Sequence, residues 1–61
     1  MKRRDLDRAI KALGKQQGIT PVWEHGGNHD TLTFGKKQTS IPRHREINEI
    51  TAKSILKYLS E

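Results

Sequence analysis

The sequence predicts an α+β domain in which two helices cover one face of a three-stranded antiparallel sheet, in the order α-β-β-β-α. Two apolar stripes at helical spacing, one towards each end of the chain, predict the helices. Between them, an alternating segment and two glycine-containing turns predict strands joined by hairpins. The length of 61 residues suits one domain, and we expect residues 1–61 to form it.

The two helices are predicted from stripes that recur at i, i+3, i+4 and i+7. The first begins near Arg3, and its stripe consists of Leu6, Ala9, Ile10 and Leu13. Gly18 is suited to end this helix as its C-cap, and Pro21 prevents the helix from continuing. The second stripe consists of Ala52, Ile55, Leu56 and Leu59, with Asn48 available as the N-cap.

Three strands are predicted between the helices, over Thr20–His25, His29–Phe34 and Gln38–Ile41. Alternation along the second strand puts Leu32 and Phe34 on one face and His29 on the other. The two large apolar side chains must face the core, which leaves His29 on the polar, open face. Trp23 is expected at the edge of the core, with an exposed stacking platform for a nucleic-acid base as the alternative.

The composition excludes some classes of protein and favours others. The chain has no cysteine, which excludes disulfides and thiolate metal sites, and no apolar run approaches the roughly 18 residues of a membrane span. No signal-peptide core is present, and we expect a cytoplasmic protein without membrane contact. Twelve Lys and Arg residues against seven Asp and Glu give a net charge of +5, which favours a polyanionic partner, nucleic acid first. The alternative is a basic surface that only maintains solubility.

The candidate chemistry lies in one short segment, Glu24–Asp30. The centre of this segment is Gly26-Gly27-Asn28. These residues predict a turn, because glycine accepts positive φ without steric cost and asparagine tolerates it. His29 follows directly, exposed at the mouth of the turn and able to exchange a proton near neutral pH, although it can also be an ordinary surface histidine. Zinc needs three or four converging ligands, and only His25 and Asp30 accompany His29, so we expect no metal site and no cofactor.

The chain contains four short motifs: Lys2-Arg3-Arg4-Asp5-Leu6, Gly26-Gly27-Asn28-His29, Ile41-Pro42-Arg43-His44 and Ser54-Ile55-Leu56-Lys57-Tyr58-Leu59. Together and in this order they resemble HicA-type toxins, the small messenger-RNA-cleaving partners of HicB antitoxins. The resemblance implies a double-stranded-RNA-binding-like fold, a ribonuclease whose catalytic histidine is His29, and a HicB-type antitoxin as partner. The chain differs from the family pattern at Asn28, where serine is common, and at Arg45, where proline is frequent.

Basic side chains are the candidates for phosphate contacts, although any one of them is more often simply solvated. The set consists of Arg3, Arg4, Lys36, Lys37, Arg43, His44, Arg45 and Lys53, with Lys36-Lys37 and Arg43-His44-Arg45 as the preferred contact zones. Double-stranded-RNA-binding domains begin their last helix with a lysine run, whereas residues 48–51 are nearly uncharged here. Single-stranded messenger RNA is therefore the expected substrate.

The expected reaction is transesterification, in which a ribose 2′-OH attacks the adjacent phosphorus and the 5′-oxygen leaves. Imidazole suits either proton transfer, because its ordinary pKa of about 6.5 lies near the working pH. A complete acid–base pair needs a second proton carrier, for which His25 and His44 are the candidates. Two other classes stay open: a non-catalytic RNA- or DNA-binding module on the same fold, and an interaction domain for an acidic protein.

Overall fold

The computed structural model describes all residues from 1 to 61 and has the predicted order of elements. These are α1 (Arg3–Gln17), β1 (Val22–His25), β2 (His29–Phe34), β3 (Lys37–Pro42) and α2 (Glu49–Ser60). The strands form one antiparallel sheet in the order β1-β2-β3, with β2 in the centre. The predicted α+β arrangement is therefore confirmed, whereas β1 is shorter and β3 longer than predicted.

The ends of both helices follow from the residues that cap them. Gly18 has a left-handed φ of 70°, and the following N–H of Ile19 donates to the Gly14 carbonyl at 2.8 Å. At the start of α2, the side chain of Asn48 accepts a hydrogen bond from Ile50 N at 2.8 Å. Both predicted caps are confirmed. Neither helix combines the length and the apolar character needed to cross a membrane.

One apolar cluster joins both helices to the same face of the sheet. Its members are Leu6 and Ile10 from α1, Leu32, Phe34 and Ile41 from the sheet, Ile47 from the following loop, and Ala52, Ile55 and Leu59 from α2. Half-buried Trp23 packs against this cluster at its margin, as predicted, with Lys11 Nζ 5.7 Å from the ring centroid. The helices therefore cover one layer of the sheet and leave the other face open.

The uncovered face of the sheet carries His29 and a set of small polar side chains. Directly paired residues of antiparallel strands share a face, and His29 pairs with Pro42. The remaining rows of this face are Glu24, Thr31 and Ser40, followed by Val22, Thr33 and Gln38. No lysine or arginine lies in these rows, so the positive charge of the protein is concentrated elsewhere.

The two hairpin turns use glycine differently. Gly35 has a φ of 64° in the two-residue connection between β2 and β3, where a left-handed residue matches the strand twist. Between β1 and β2, none of Gly26, Gly27 and Asn28 has a positive φ. The turn lies where it was predicted, but it does not use the positive φ that glycine and asparagine allow.

A short pairing that the sequence did not reveal joins the first residues to the loop before α2. Ile47 N donates to the Met1 carbonyl at 2.7 Å, and Arg3 N donates to the Arg45 carbonyl at 2.9 Å. Lys2 and Glu46 face each other between these bonds as a β-bridge. The pairing fixes the loop after β3 beside the start of α1.

Candidate active site at the glycine turn

The glycine turn, Gly26–Asn28, lies at the end of the sheet where β1 finishes and β2 begins. His25 is the last residue of β1 and His29 the first of β2, so a histidine stands on either side of the turn. The Gly26 N–H donates to the His29 carbonyl at 3.2 Å. A Cβ atom added to Gly27 would meet nothing within 4 Å, so the tip of the turn is open to a ligand.

Arg43 holds the glycine turn from the neighbouring strand end. Its Nη1 donates to the carbonyls of Gly26 at 3.0 Å and Gly27 at 3.3 Å, and its backbone N–H donates to the Asn28 carbonyl at 3.3 Å. The carbonyl groups of the turn therefore point at a guanidinium. These hydrogen bonds give Arg43 a role inside the protein in addition to any phosphate contact.

Asp30 is the buried centre of a charge network at the same end of the sheet. Its side chain is 3% exposed, with Oδ2 2.7 Å from Arg3 Nη2 and Oδ1 2.9 Å from His25 Nδ1. Arg43 Nε lies 3.4 Å from the same Oδ1. The hydrogen bond with His25, followed by that from Arg3, lowers the pKa of Asp30 against the opposite effect of burial. The carboxylate is therefore ionised at neutral pH and accepts from both partners.

Arg3 connects this network to the first helix and the third strand. Its side chain is 15% exposed, and it donates from Nε to Asp7 at 2.8 Å and from Nη1 to the Pro42 carbonyl at 2.9 Å. Burial acts to lower the pKa of Arg3, but the hydrogen bonds to Asp7 and Asp30 outweigh it and raise the pKa. Most of its donors are thus satisfied within the chain, and we now interpret Arg3 first as a structural residue.

The two histidines beside the turn face opposite sides of the sheet. His25 pairs with Asp30, whose side chain points to the helix side, whereas His29 precedes Asp30 and points to the uncovered side. The His25 side chain is 73% exposed although its Nδ1 is held by a buried carboxylate. His29 is exposed, and its ring makes no hydrogen bond within the chain. Both rings can therefore reach a bound molecule, from different directions.

Part of the predicted basic set gathers in a groove near the glycine turn. The groove has a volume of about 620 Å³ and is lined by Lys2, Arg3, Arg4, Asp7, Arg45 and Glu46. Its four cations and two carboxylates leave it electropositive. The predicted residues Arg3, Arg4 and Arg45 are thus brought together, and Lys2 joins them through the pairing with Glu46 that the sequence did not reveal.

The other predicted contact zone lies at the far end of the sheet. Lys36 and Lys37 follow Phe34, which is five residues along β2 from His29, or about 17 Å at the usual rise of a strand. Lys37 Nζ donates to the carbonyls of Tyr58, at 2.8 Å, and Glu61, which places its charge at the C-terminal end of α2. The two preferred zones therefore do not form one patch.

His44 and the possible metal ligands also have defined positions. His44 lines a separate crevice of about 260 Å³ with Pro42, Glu46, Ile47, Asn48 and Thr51. No three side chains of His, Asp or Glu converge in a way that can hold a metal ion. His25 and Asp30 do meet, but His29 points to the other face of the sheet.

Asp30 was not predicted to organise the site, although the sequence contained a signal for it. Alternation placed Asp30 on the same face as Leu32 and Phe34, and a carboxylate on a core face requires a cationic or hydrogen-bonding partner. The structure supplies three such partners from distant parts of the chain, Arg3, His25 and Arg43.

No known protein family matches the chain, and no curated protein and no solved structure shows significant similarity to it. The functional meaning of the glycine turn therefore depends on its own chemistry and on the sequence motifs that contain it.

Proposed function

We propose that this protein is a HicA-type toxin, a metal-independent endoribonuclease that cleaves messenger RNA in the cytoplasm and is neutralised by a HicB-type antitoxin. Under this proposal the α-β-β-β-α chain is a variant of the double-stranded-RNA-binding-like fold. The observation that carries the proposal is an exposed histidine, His29, that opens a strand next to an open glycine turn fixed by Arg43.

The reaction proceeds without a cofactor. His29 takes the proton from a ribose 2′-OH, the 2′-oxygen bonds to the adjacent phosphorus, and the bond from phosphorus to the 5′-oxygen breaks. The leaving 5′-oxygen takes up a proton from a general acid or from water, and the products are a 2′,3′-cyclic phosphate and a 5′-hydroxyl. General acid–base catalysis by one side chain contributes on the order of 10²- to 10⁴-fold to such a rate. Since the His29 ring is not engaged with any other side chain, it is free to bind the substrate hydroxyl.

Substrate phosphates are held beside the turn rather than under α2. The groove that contains Arg4 and Arg45 is electropositive and lies at the same end of the molecule as Arg43. Helix α2 begins with Glu49 and an exposed Ile50, which offer nothing to a duplex backbone. A single strand can bend over the turn and into the groove, which agrees with single-stranded messenger RNA as the substrate.

The decisive test compares the wild type with His29→Ala on a long RNA in excess EDTA. Wild-type protein should cleave at its normal rate, and His29→Ala should lose roughly 10²-fold or more. Thr33→Ala is the matched control, because Thr33 shares the strand and the face of His29 and should keep full activity. A 2′-deoxyribose at the cut should block cleavage. Activity that requires added zinc or magnesium, or that survives His29→Ala, would overturn the assignment.

The antitoxin is expected to be acidic and to cover the face that carries His29. The net charge of +5 supports electrostatic steering, which mainly accelerates association. Association rates should fall steeply between low and high salt, and hydrogen exchange should show protection at residues 25–30. A footprint confined to the far end of the sheet, around Lys36, would contradict inhibition by occlusion.

The second candidate is a non-catalytic RNA- or DNA-binding module on the same fold. The groove lined by Lys2, Arg4 and Arg45 favours it, because these cations do not depend on His29 for their position. Salt-dependent binding of nucleic acid by wild type and His29→Ala alike, with no cleavage by either, would establish this function instead.

A further inference from the structure

The His25 imidazole and the buried Asp30 carboxylate form a built pair at the glycine turn. Nδ1 of His25 lies 2.9 Å from Oδ1 of Asp30, and the carboxylate is 3% exposed while the histidine is 73% exposed. An ionised carboxylate only accepts hydrogen bonds, so Nδ1 carries the hydrogen and Nε2 is the atom that gains or loses a proton. The carboxylate thus orients the ring and presents Nε2 to solvent, as the acid of a catalytic triad does for its histidine.

The position of this pair relative to His29 matches a geometric demand of RNA cleavage. In an in-line displacement the attacking oxygen and the leaving oxygen lie on opposite sides of phosphorus, so the base and the acid must approach from opposite sides. His25 and His29 stand on opposite faces of the sheet at the same end of it. Between them, Gly26 and Gly27 have no side chains to obstruct a phosphate.

We infer that His25 is a second catalytic residue, the general acid that protonates the leaving 5′-oxygen, and that Asp30 is its positioning residue. This inference rests on the proposed ribonuclease function. His29 takes the 2′-OH proton as the oxygen–phosphorus bond forms. As the bond to the 5′-oxygen breaks, His25 Nε2 gives its proton to that oxygen. Asp30 accepts the hydrogen bond from Nδ1 and so fixes the orientation of the ring, which leaves Nε2 free to deliver the proton.

A substrate with a bridging sulfur in place of the 5′-oxygen tests the inference, because a thiolate leaves without being protonated. Single-turnover rates are measured on a single-stranded RNA whose cut was mapped with the wild type, in its ordinary and 5′-thio forms. His25→Ala should cleave the ordinary RNA roughly 10²-fold more slowly and the 5′-thio RNA at close to the wild-type rate. His29→Ala should be slow on both, since the base is still missing.

The pH profile and two further variants separate catalysis from structure. Wild-type kcat/KM should be bell-shaped, and His25→Ala should lose the fall at high pH that reports the acid. His25→Gln, which can still donate to Asp30, should have the wild-type melting temperature and the same rate defect as His25→Ala. Asp30→Asn should lower kcat on the order of 10-fold with little change in KM, and the 5′-thio RNA should reverse most of that loss.

Each outcome has a distinct meaning. If the wild type cleaves and His25→Ala or His25→Gln cleaves ordinary RNA equally fast, the inference is wrong while the role of His29 stands. If both variants are slow on ordinary and 5′-thio RNA alike, His25 is not the acid. If the wild type cleaves no RNA, the proposed function itself fails.

Discussion

Replacement of Arg43 by alanine should loosen the glycine turn, and this outcome separates two roles that the sequence could not tell apart. The sequence suggested a phosphate contact, whereas the structure shows the guanidinium donating to the carbonyls of Gly26 and Gly27 and lying 3.4 Å from Asp30. A phosphate contact predicts weaker RNA binding with unchanged stability. A role in holding the turn predicts a less stable protein and a slower reaction.

The size of the effect follows from the contacts that are lost. A hydrogen bond from a charged donor contributes about 1.5–3 kcal/mol when fully formed. The Arg43 side chain is 47% exposed and its two bonds to the turn measure 3.0 and 3.3 Å, so water competes for them and the value must be reduced. We expect Arg43→Ala to lower the free energy of unfolding by about 1–2 kcal/mol. In a domain of this size that corresponds to a melting temperature about 5–15 °C lower.

Thermal unfolding and single-turnover cleavage should be measured on the same preparations. Arg45→Ala is the matched control, because it removes the same charge two residues away, and no hydrogen bond or ion pair involves the Arg45 side chain. It should keep the wild-type melting temperature while binding RNA more weakly. Arg43→Lys keeps the charge but not the forked donors, and should recover only part of the stability. An unchanged melting temperature for Arg43→Ala would refute the role in holding the turn.

Three further outcomes follow from individual contacts. His29→Ala should change the free energy of unfolding by no more than about 0.5 kcal/mol, because the exposed side chain leaves no cavity; a large loss in chemical denaturation would mean that the faces of β2 are reversed. The lowered pKa of Asp30 means that its stabilising contribution is complete above the ordinary carboxyl pKa of about 3.9 and is lost as pH falls through the lower folded value. The difference in melting temperature between wild type and Asp30→Asn should therefore be largest near neutral pH and shrink below about pH 4; a constant difference would contradict this coupling. Gly35→Ala should lower the free energy of unfolding by about 1–2 kcal/mol, because Gly35 has a φ of 64°. The loss should exceed that of Gly18→Ala at a φ of 70°, since only at Gly35 would the new Cβ meet a side chain, at 3.2 Å from Ile19. Equal melting temperatures for the two variants would refute this contribution of the Ile19 contact.

Local patterns were sufficient to predict the order of helices and strands, because each element shows its hydrophobic period or its capping residue within a few positions. Leu6 and Ile10 of the first stripe are buried as predicted, and Ala9 and Leu13 are partly buried. The alternation of β2 placed Leu32 in the core and His29 outside it. Gly18 ended the first helix as its chemistry requires. Such signals depend on helix and strand periods, which the sequence displays directly.

The candidate site was less predictable, because its key contacts join residues that are far apart in the sequence. The bond from Arg3 to Asp30 spans 27 residues, and that from Arg43 to Gly26 spans 17. The periodicity of the sequence does not show which of several arginines will form an ion pair with a given carboxylate. The assignment of Arg3 and Arg43 to phosphate contacts from their charge alone overlooked these internal partners, while the choice of the glycine turn depended on a local motif.

The charge network around Asp30 also indicates how so small a protein can constrain the glycine turn without burying it. Nine apolar side chains form the core, and none of them contacts the tip of the glycine turn, where a Cβ on Gly27 would meet nothing within 4 Å. Rigidity at that end therefore comes from Asp30, buried beneath the turn, and from the two arginines that converge on it. The same carboxylate orients His25, so the groups that order the turn and those that would transfer protons depend on one ionised side chain. A buried pair that loses one partner leaves an uncompensated charge. For that reason, variants of Asp30 should affect folding and chemistry together, whereas variants of His29, whose ring has no hydrogen-bond partner in the chain, should affect chemistry alone.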